Sequence, residues 1–223
     1  LRFTGLSAGA ALSFYHFGGL GFINGTSFSK NTLIKNVFIG GAAIFLYGTT
    51  YYCLVYVKDS SFIENYSQLK GGAIATTFGQ VHCRNCTFID NNAPYGGAVN
   101  VAVYCPGSYI NSRFSSKKSS FYGGGIFLAD ESVVTILNCS FEGLSAEFGG
   151  AIKMEGLQLS LILNNVTFKG NRATRGAALD FSNSLKIYTN MTLVSFQGNE
   201  CVDSIVNLGN MALMASGISF SLN

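Results

Sequence analysis

Phe88-Ile-Asp-Asn91, followed after four residues by Gly96-Gly-Ala-Val99, is the stretch that decides the fold, because both of its halves recur along the whole chain. Phe-x-x-Asn returns at Phe28/Asn31, Phe62/Asn65, Phe168/Asn171, Phe196/Asn199 and Phe220/Asn223, while Phe114/Lys117 and Phe141/Leu144 keep the aromatic residue and lose the amide. The glycine half reads Gly9-Ala-Ala-Leu12, Gly41-Ala-Ala-Ile44, Gly71-Gly-Ala-Ile74, Gly123-Gly-Gly-Ile126, Gly149-Gly-Ala-Ile152 and Gly176-Ala-Ala-Leu179, then fades to Ser204-Ile-Val-Asn207. Successive Phe positions lie 34, 26, 26, 27, 27, 28 and 24 residues apart. A fixed period of this length marks a solenoid or array.

A unit of about 27 residues is too short for a propeller blade, and too rich in Gly for a helical hairpin repeat. Leucine-rich repeats have a compatible period but require a Leu pattern that does not recur here; the alternation from Leu157 to Leu163 is isolated. Three strands of about five residues with three turns make one coil of a parallel β-helix, and this fits. The expected fold is therefore all-β, a right-handed parallel β-helix of about eight coils. One domain over 1–223 is expected, with repeats at about 9–40, 41–70, 71–95, 96–122, 123–148, 149–175, 176–203 and 204–223.

In such a coil Phe28, Phe62, Phe88, Phe114, Phe141, Phe168, Phe196 and Phe220 point inward and stack about 4.8 Å apart as a core ladder. The glycines supply turns with positive φ and no side chain to clash with neighbouring coils. The Asn of Phe-x-x-Asn is expected to take a left-handed turn and to stack amide on amide, with the ladder interrupted at Lys117 and Leu144.

These motifs closely resemble the repeats of the polymorphic outer-membrane protein family of chlamydiae, over roughly Gly9 to Asn223. The resemblance implies a right-handed β-helix of the pectin-lyase-like type and an extracellular setting. Chlamydial members are surface adhesins that precede a membrane barrel, and no such barrel is present in this sequence.

Composition narrows the function classes. Charged residues are 11% and hydrophobic ones 48%, so the chain buries a large core under an outer surface of Ser, Thr, Asn and Gly. The net charge of +3 is scattered, and Lys117-Lys118 after Arg113 is too short a basic run for nucleic acid. No apolar stretch is long enough for a transmembrane helix. The chain begins at Leu1, within a repeat and without Met, and reads as a processed or excised piece.

Six Asn-x-Ser/Thr triplets occur, at Asn24, Asn65, Asn85, Asn138, Asn165 and Asn190. With 19 Asn, chance gives roughly three. Asn85, Asn138 and Asn165 each stand three residues before a ladder Phe, so N-glycans there would project from one edge and solubilise a surface poor in charge. The alternative is that these Asn simply make the corner.

The six cysteines have no regular spacing. Cys83-x-x-Cys86 is the pattern of a redox pair or half a zinc site, but only His16 and His82 could complete a metal centre, so no metal or other cofactor is expected. Cys86 and Cys139 hold one place two coils apart, roughly 9.6 Å, too far to bridge. Cys53, Cys83 and Cys105 lie in consecutive coils and are the disulfide candidates, with Cys53–Cys83 or Cys83–Cys105 the pairings. The bland alternative is that most are buried small hydrophobes.

Glycoside hydrolysis needs two carboxylates across a groove. The acids here share no column, Asp130 and Glu131 would face opposite sides of a strand, and there is no Trp to hold a sugar. No catalytic residue is assigned. Both ends read as apolar and uncapped, which suits head-to-tail stacking into an open fibre, with Phe3, Phe14, Phe17, Met211, Met214 and Phe220 near the joints. The expected function is a structural subunit of an extracellular, N-glycosylated homopolymer. The alternatives are an adhesin or ligand-binding fragment of a larger surface protein and, third, a polysaccharide-active enzyme.

Overall fold

The computed structural model describes residues 2–4, 11–15, 18–34, 40–48, 53–208 and 211–221. Every element in them is a β-strand and every ladder is parallel, because each coil lays its strands on the equivalent strands of the coil before. About six full coils of about 27 residues are complete, with partial coils on either side. The count of eight holds only if those partial coils are included.

The Phe positions are in perfect register. Phe28, Phe62, Phe88, Phe114, Phe141, Phe168, Phe196 and Phe220 pair one to the next across the largest sheet. The backbone of Phe3 pairs with Phe28 in the same column. Ring centroids lie 5.0, 4.8, 4.5, 4.6, 5.1, 5.3 and 4.9 Å apart, with the planes within 19° of parallel. The strand spacing of about 4.8 Å fixes this separation, so the aromatic stacking and the backbone ladder share one repeat. The rings from Phe28 to Phe196 are buried; Phe220 stacks on Phe196 but is 62% exposed, because no described coil covers it.

The glycine-led sheet supplies the opposite wall. Its inward column is Leu12, Ile44, Ile74, Val99, Ile126, Ile152, Leu179 and Val206. The first glycines of the turns, Gly41, Gly71, Gly96, Gly123, Gly149 and Gly176, have φ between 52° and 72°. The second glycine is needed for space: a Cβ on Gly72 would run into the carbonyl oxygen of Gly97 in the next coil.

Left-handed residues do form the corners, but not at the Asn of Phe-x-x-Asn. They stand immediately before that position, at Lys30, Glu64, Asp90, Gly170 and Gly198 before an Asn and at Gly143 before Leu144, and again three residues before each Phe, at Gly25, Asp59, Asn85, Asn111, Asn138, Asn165, Leu193 and Gly217. The motif Asn keeps ordinary φ because its work is internal. Asn31 Nδ2 donates to Asn65 Oδ1 at 2.8 Å, and Asn65 Nδ2 donates to Asn91 Oδ1 at 2.9 Å and to the Phe28 carbonyl at 3.1 Å. This buried amide ladder stops at Lys117 and Leu144 and resumes as Asn171 to Asn199 at 3.0 Å, as the missing amides require.

Truncating a central ring tests the ladder. Phe114→Ala should lower the unfolding free energy by about 3–5 kcal/mol in a denaturant titration, whereas Phe220→Ala, at an exposed ring, should cost less than about 1 kcal/mol. Equal losses at the two positions would refute a core carried by the stack.

Candidate functional site

Alternation along a strand sends every second side chain outward, and on four consecutive coils the outward residues make one column. Strands Leu20–Asn24, Leu54–Lys58, Gln80–Arg84 and Pro106–Ile110 pair in register so that Phe22, Tyr56, His82 and Ser108 align. Phe22 and Tyr56 stack at 5.6 Å, and Tyr56 and His82 at 5.3 Å. His82 Nδ1 and Ser108 Oγ share a hydrogen bond of 2.7 Å. The neighbouring outward column is Asn24, Lys58, Arg84 and Ile110. Together these columns line a hollow of about 500 Å³.

The hollow is mostly apolar with a positive margin. Phe22 is 72% exposed. Rings stacked face to face present their edges to solvent, and the edge is the positive side of the aromatic quadrupole. Lys58 is 3.4 Å from Asp59, and Arg84 makes no ion pair among the described residues. Partial burial pushes the His82 pKa down, keeping the ring neutral near pH 7. The arrangement suits a ligand with an apolar body and an acidic group. The sequence held these residues in plain view, but without the register Phe22, Tyr56 and His82 carried no sign of belonging together.

The glycosylation candidates divide. Asn24, Asn85, Asn138, Asn165 and Asn190 are exposed. Asn65 is not: it is fully buried in the inner amide ladder with its Nδ2 committed to two acceptors, and Ser67 of its triplet is buried as well. A glycan on Asn65 is incompatible with this fold. Asn85, Asn138 and Asn165 form a second, exposed ladder with Asn111, in which Asn85 donates to Asp59 at 2.8 Å, Asn111 to Asn85 at 3.2 Å, Asn138 to Asn111 at 3.1 Å and Asn165 to Asn138 at 3.0 Å.

The disulfide candidates are free thiols: Cys53, Cys83 and Cys105 are all buried and unbridged. Cys53 and Cys105 share a column with Gly79 between them, since the Gly79 N–H donates to Cys105 Sγ at 3.4 Å and a Cβ on Gly79 would sit 3.6 Å from that of Cys53. Two rungs separate them by roughly 9.6 Å, beyond the roughly 7 Å a disulfide spans. Cys83 stands in another column, with Val57 and Tyr109, so consecutive coils did not bring it opposite either cysteine. Burial raises the Cys53 pKa to about 11.

Of the proposed joint residues, Phe14 is half-buried, while Met214 is 71% exposed and Phe220 is also open. Phe17 and the side chains of Phe3 and Met211 lie outside the described residues. Asp130 and Glu131 occupy a bend rather than opposite faces of a strand, and Asp130 Oδ1 accepts the Leu157 N–H at 3.2 Å. Among the described residues no group of three His, Cys, Asp or Glu side chains is placed to hold a metal, and no helix is long and apolar enough to cross a membrane.

One ionic cluster escaped the sequence reading. Lys153 and Asp180 occupy the same place after successive glycine motifs and pair in register. Both are fully buried, with Nζ 3.5 Å from Oδ2. Lys153 Nζ also donates to the Ser182 carbonyl at 2.6 Å, Arg175 Nε reaches Asp180 Oδ2 at 3.2 Å, and the guanidinium lies 4.7 Å from the Phe148 ring centre. Burial pushes the Lys153 pKa down, although Asp180 opposes the shift. The opposite charges at equivalent repeat positions were the signal that could have revealed this pair.

The right-handed beta helix region family matches residues 18–201. The chain belongs to that right-handed β-helix family. A curated relative, metabotropic glutamate receptor-like protein R of Dictyostelium discoideum, is 24% identical over 195 residues, which is 86% of this chain and 12% of the relative. The chain thus spans a small part of that protein's length. No solved structure gives a significant match.

Removing one buried charge should be worse than removing both. Asp180→Leu should cost about 3–5 kcal/mol by leaving Lys153 unpaired, and adding Lys153→Met should restore most of the loss. Denaturant midpoints of the two variants decide it; equal midpoints would show the pair to be uncoupled.

Proposed function

We propose that this chain is a non-catalytic, extracellular β-helix segment of a larger cell-surface repeat protein, and that it binds a ligand on the outer face between Phe22 and Ser108. The observation that carries this reading is the open aromatic column beside Lys58 and Arg84, over a hollow of about 500 Å³. Such a surface has no role in closing the core, and exposed contiguous apolar faces rimmed by polar groups mark interaction sites. Support also comes from the resemblance to polymorphic outer-membrane repeats and from the receptor-like name of the Dictyostelium relative. Five exposed sequons fit the same setting, with N-glycans on Asn24, Asn85, Asn138, Asn165 or Asn190.

Fluorescently labelled chain applied to extracellular-matrix and cell-surface preparations should be retained, and the Tyr56→Ala/Arg84→Ala variant should lose about tenfold in affinity, equivalent to about 1.4 kcal/mol. Equal retention of a correctly folded variant would remove this face from the reading. For the glycans, the chain secreted from a eukaryotic host should shorten its mass on amidase treatment, with conversion of Asn to Asp at exposed sequons and never at Asn65. An unchanged mass would remove the glycoprotein.

Head-to-tail fibre formation is the second reading, favoured by the exposure of Leu213 and Phe220, which continue inward columns on the last described coil, whereas Met214 faces outward beside Asn190. Further coils of a longer chain would cover the same side chains. Sedimentation of the isolated chain over a wide concentration range separates the two, since only the fibre predicts growth without closure.

A further inference from the structure

We infer that Cys83 and Cys86 form a disulfide within one corner of the helix when the chain folds in the presence of a low-molecular-weight disulfide, fixing the strand that carries His82 and Arg84. Cys83 is the inward residue between His82 and Arg84 on strand Gln80–Arg84, and Cys86 follows the left-handed Asn85 at the corner. Both side chains point into the core and are buried. Cys86 Sγ lies 3.6 Å from the carbonyl oxygen of Val57, the residue paired with Cys83 in the adjacent coil. That contact, with a second from Cys86 Sγ to the Arg84 carbonyl oxygen at 3.4 Å, turns the Cys86 sulfur back along the Cys83 strand and beside the Cys83 column.

The remaining cysteines offer no competing partner. Cys53 and Cys105 are two rungs apart across Gly79, and Cys86 and Cys139 are two rungs apart across Ser112, whose N–H donates to Cys139 Sγ at 3.3 Å while its Oγ accepts from the Cys86 N–H at 3.1 Å. Cys201 lies on the short strand Glu200–Cys201, paired with strand Arg172–Arg175, and its Sγ donates to the Thr174 carbonyl at 3.3 Å. Only the Cys83–Cys86 pair meets without crossing a rung.

While the corner is open, either thiolate attacks one sulfur of the small disulfide, expelling a thiolate and leaving a mixed disulfide on the protein. The other thiolate then attacks the protein sulfur of that mixed disulfide and expels the second small thiolate. The protein gives up two electrons and two protons; the small disulfide takes them and becomes two thiols. Because both sulfurs are covered in the finished core, the exchange belongs to folding, while the corner is still open.

Refolding the full chain in reduced and oxidised glutathione, followed by acid quenching, alkylation and digestion without reduction, tests this. The expected product is a peptide two hydrogens lighter with Cys83 joined to Cys86, and alkylation at the other four of the six cysteines. That species should keep the cooperative unfolding transition of the reduced protein. Six alkylated cysteines, a bridge from Cys83 or Cys86 to any other cysteine, or a Cys83–Cys86 bridge confined to molecules that have lost the transition would each overturn the inference.

Discussion

The in-register stacking of Phe28 through Phe196 is the constraint on which the rest of this molecule depends. Parallel strands from successive coils stand about 4.8 Å apart because of their backbone hydrogen bonds, and aromatic rings stacked at 4.5–5.3 Å need no adjustment to follow them. A residue at a given place in one repeat is therefore committed to touching its equivalent in the next. Side chains that gain from meeting their own kind, such as Phe on Phe and Asn on Asn, are stabilised by repetition, whereas like charges would be penalised by it. This accounts for a surface with so few charged residues, and for the ion pairs that do occur joining opposite signs on adjacent coils, such as Arg113 with Glu142 and Arg172 with Glu200.

Two amide ladders express the same rule in different surroundings. The inner one, Asn31–Asn65–Asn91, satisfies buried polar groups at a corner where the backbone turns and cannot pair with itself. The outer one, Asp59 to Asn165, runs along the exposed corner at residues whose left-handed conformation favours Asn. The Asn-x-Ser/Thr pattern draws on both populations, which is why six triplets of identical chemistry include one sealed in the core.

The period, the aromatic ladder and the glycine turns were legible in the sequence because each repeats, and repetition converts local spacing into three-dimensional position. What failed to be legible depended on the register between columns. Cys83 shares a coil neighbourhood with Cys53 and Cys105 but sits four residues further along its strand than Gly79, which marks their column, so sequence distance in whole repeats was a poor guide to contact. The aromatic face had the same difficulty, since Phe22, Tyr56 and His82 are different residue types and only their shared pairing reveals them as one surface. The Asn of the motif was misread as the bend itself because the residue before it, Lys30, Glu64 or Asp90, varies freely.

The buried Lys153–Asp180 pair has a consequence for how the chain finds its order. Nearly identical rungs can dock on the wrong neighbour at little cost, and misassembly between like units is a characteristic failure of repeat proteins. Lys153 breaks that degeneracy. If the coil that carries Asp180 were skipped, Lys153 would be sealed against Asn207 in the next rung, a neutral residue unable to balance it. One mismatched charge in the interior thus acts as a key, identifying a single permitted successor among coils that are otherwise interchangeable.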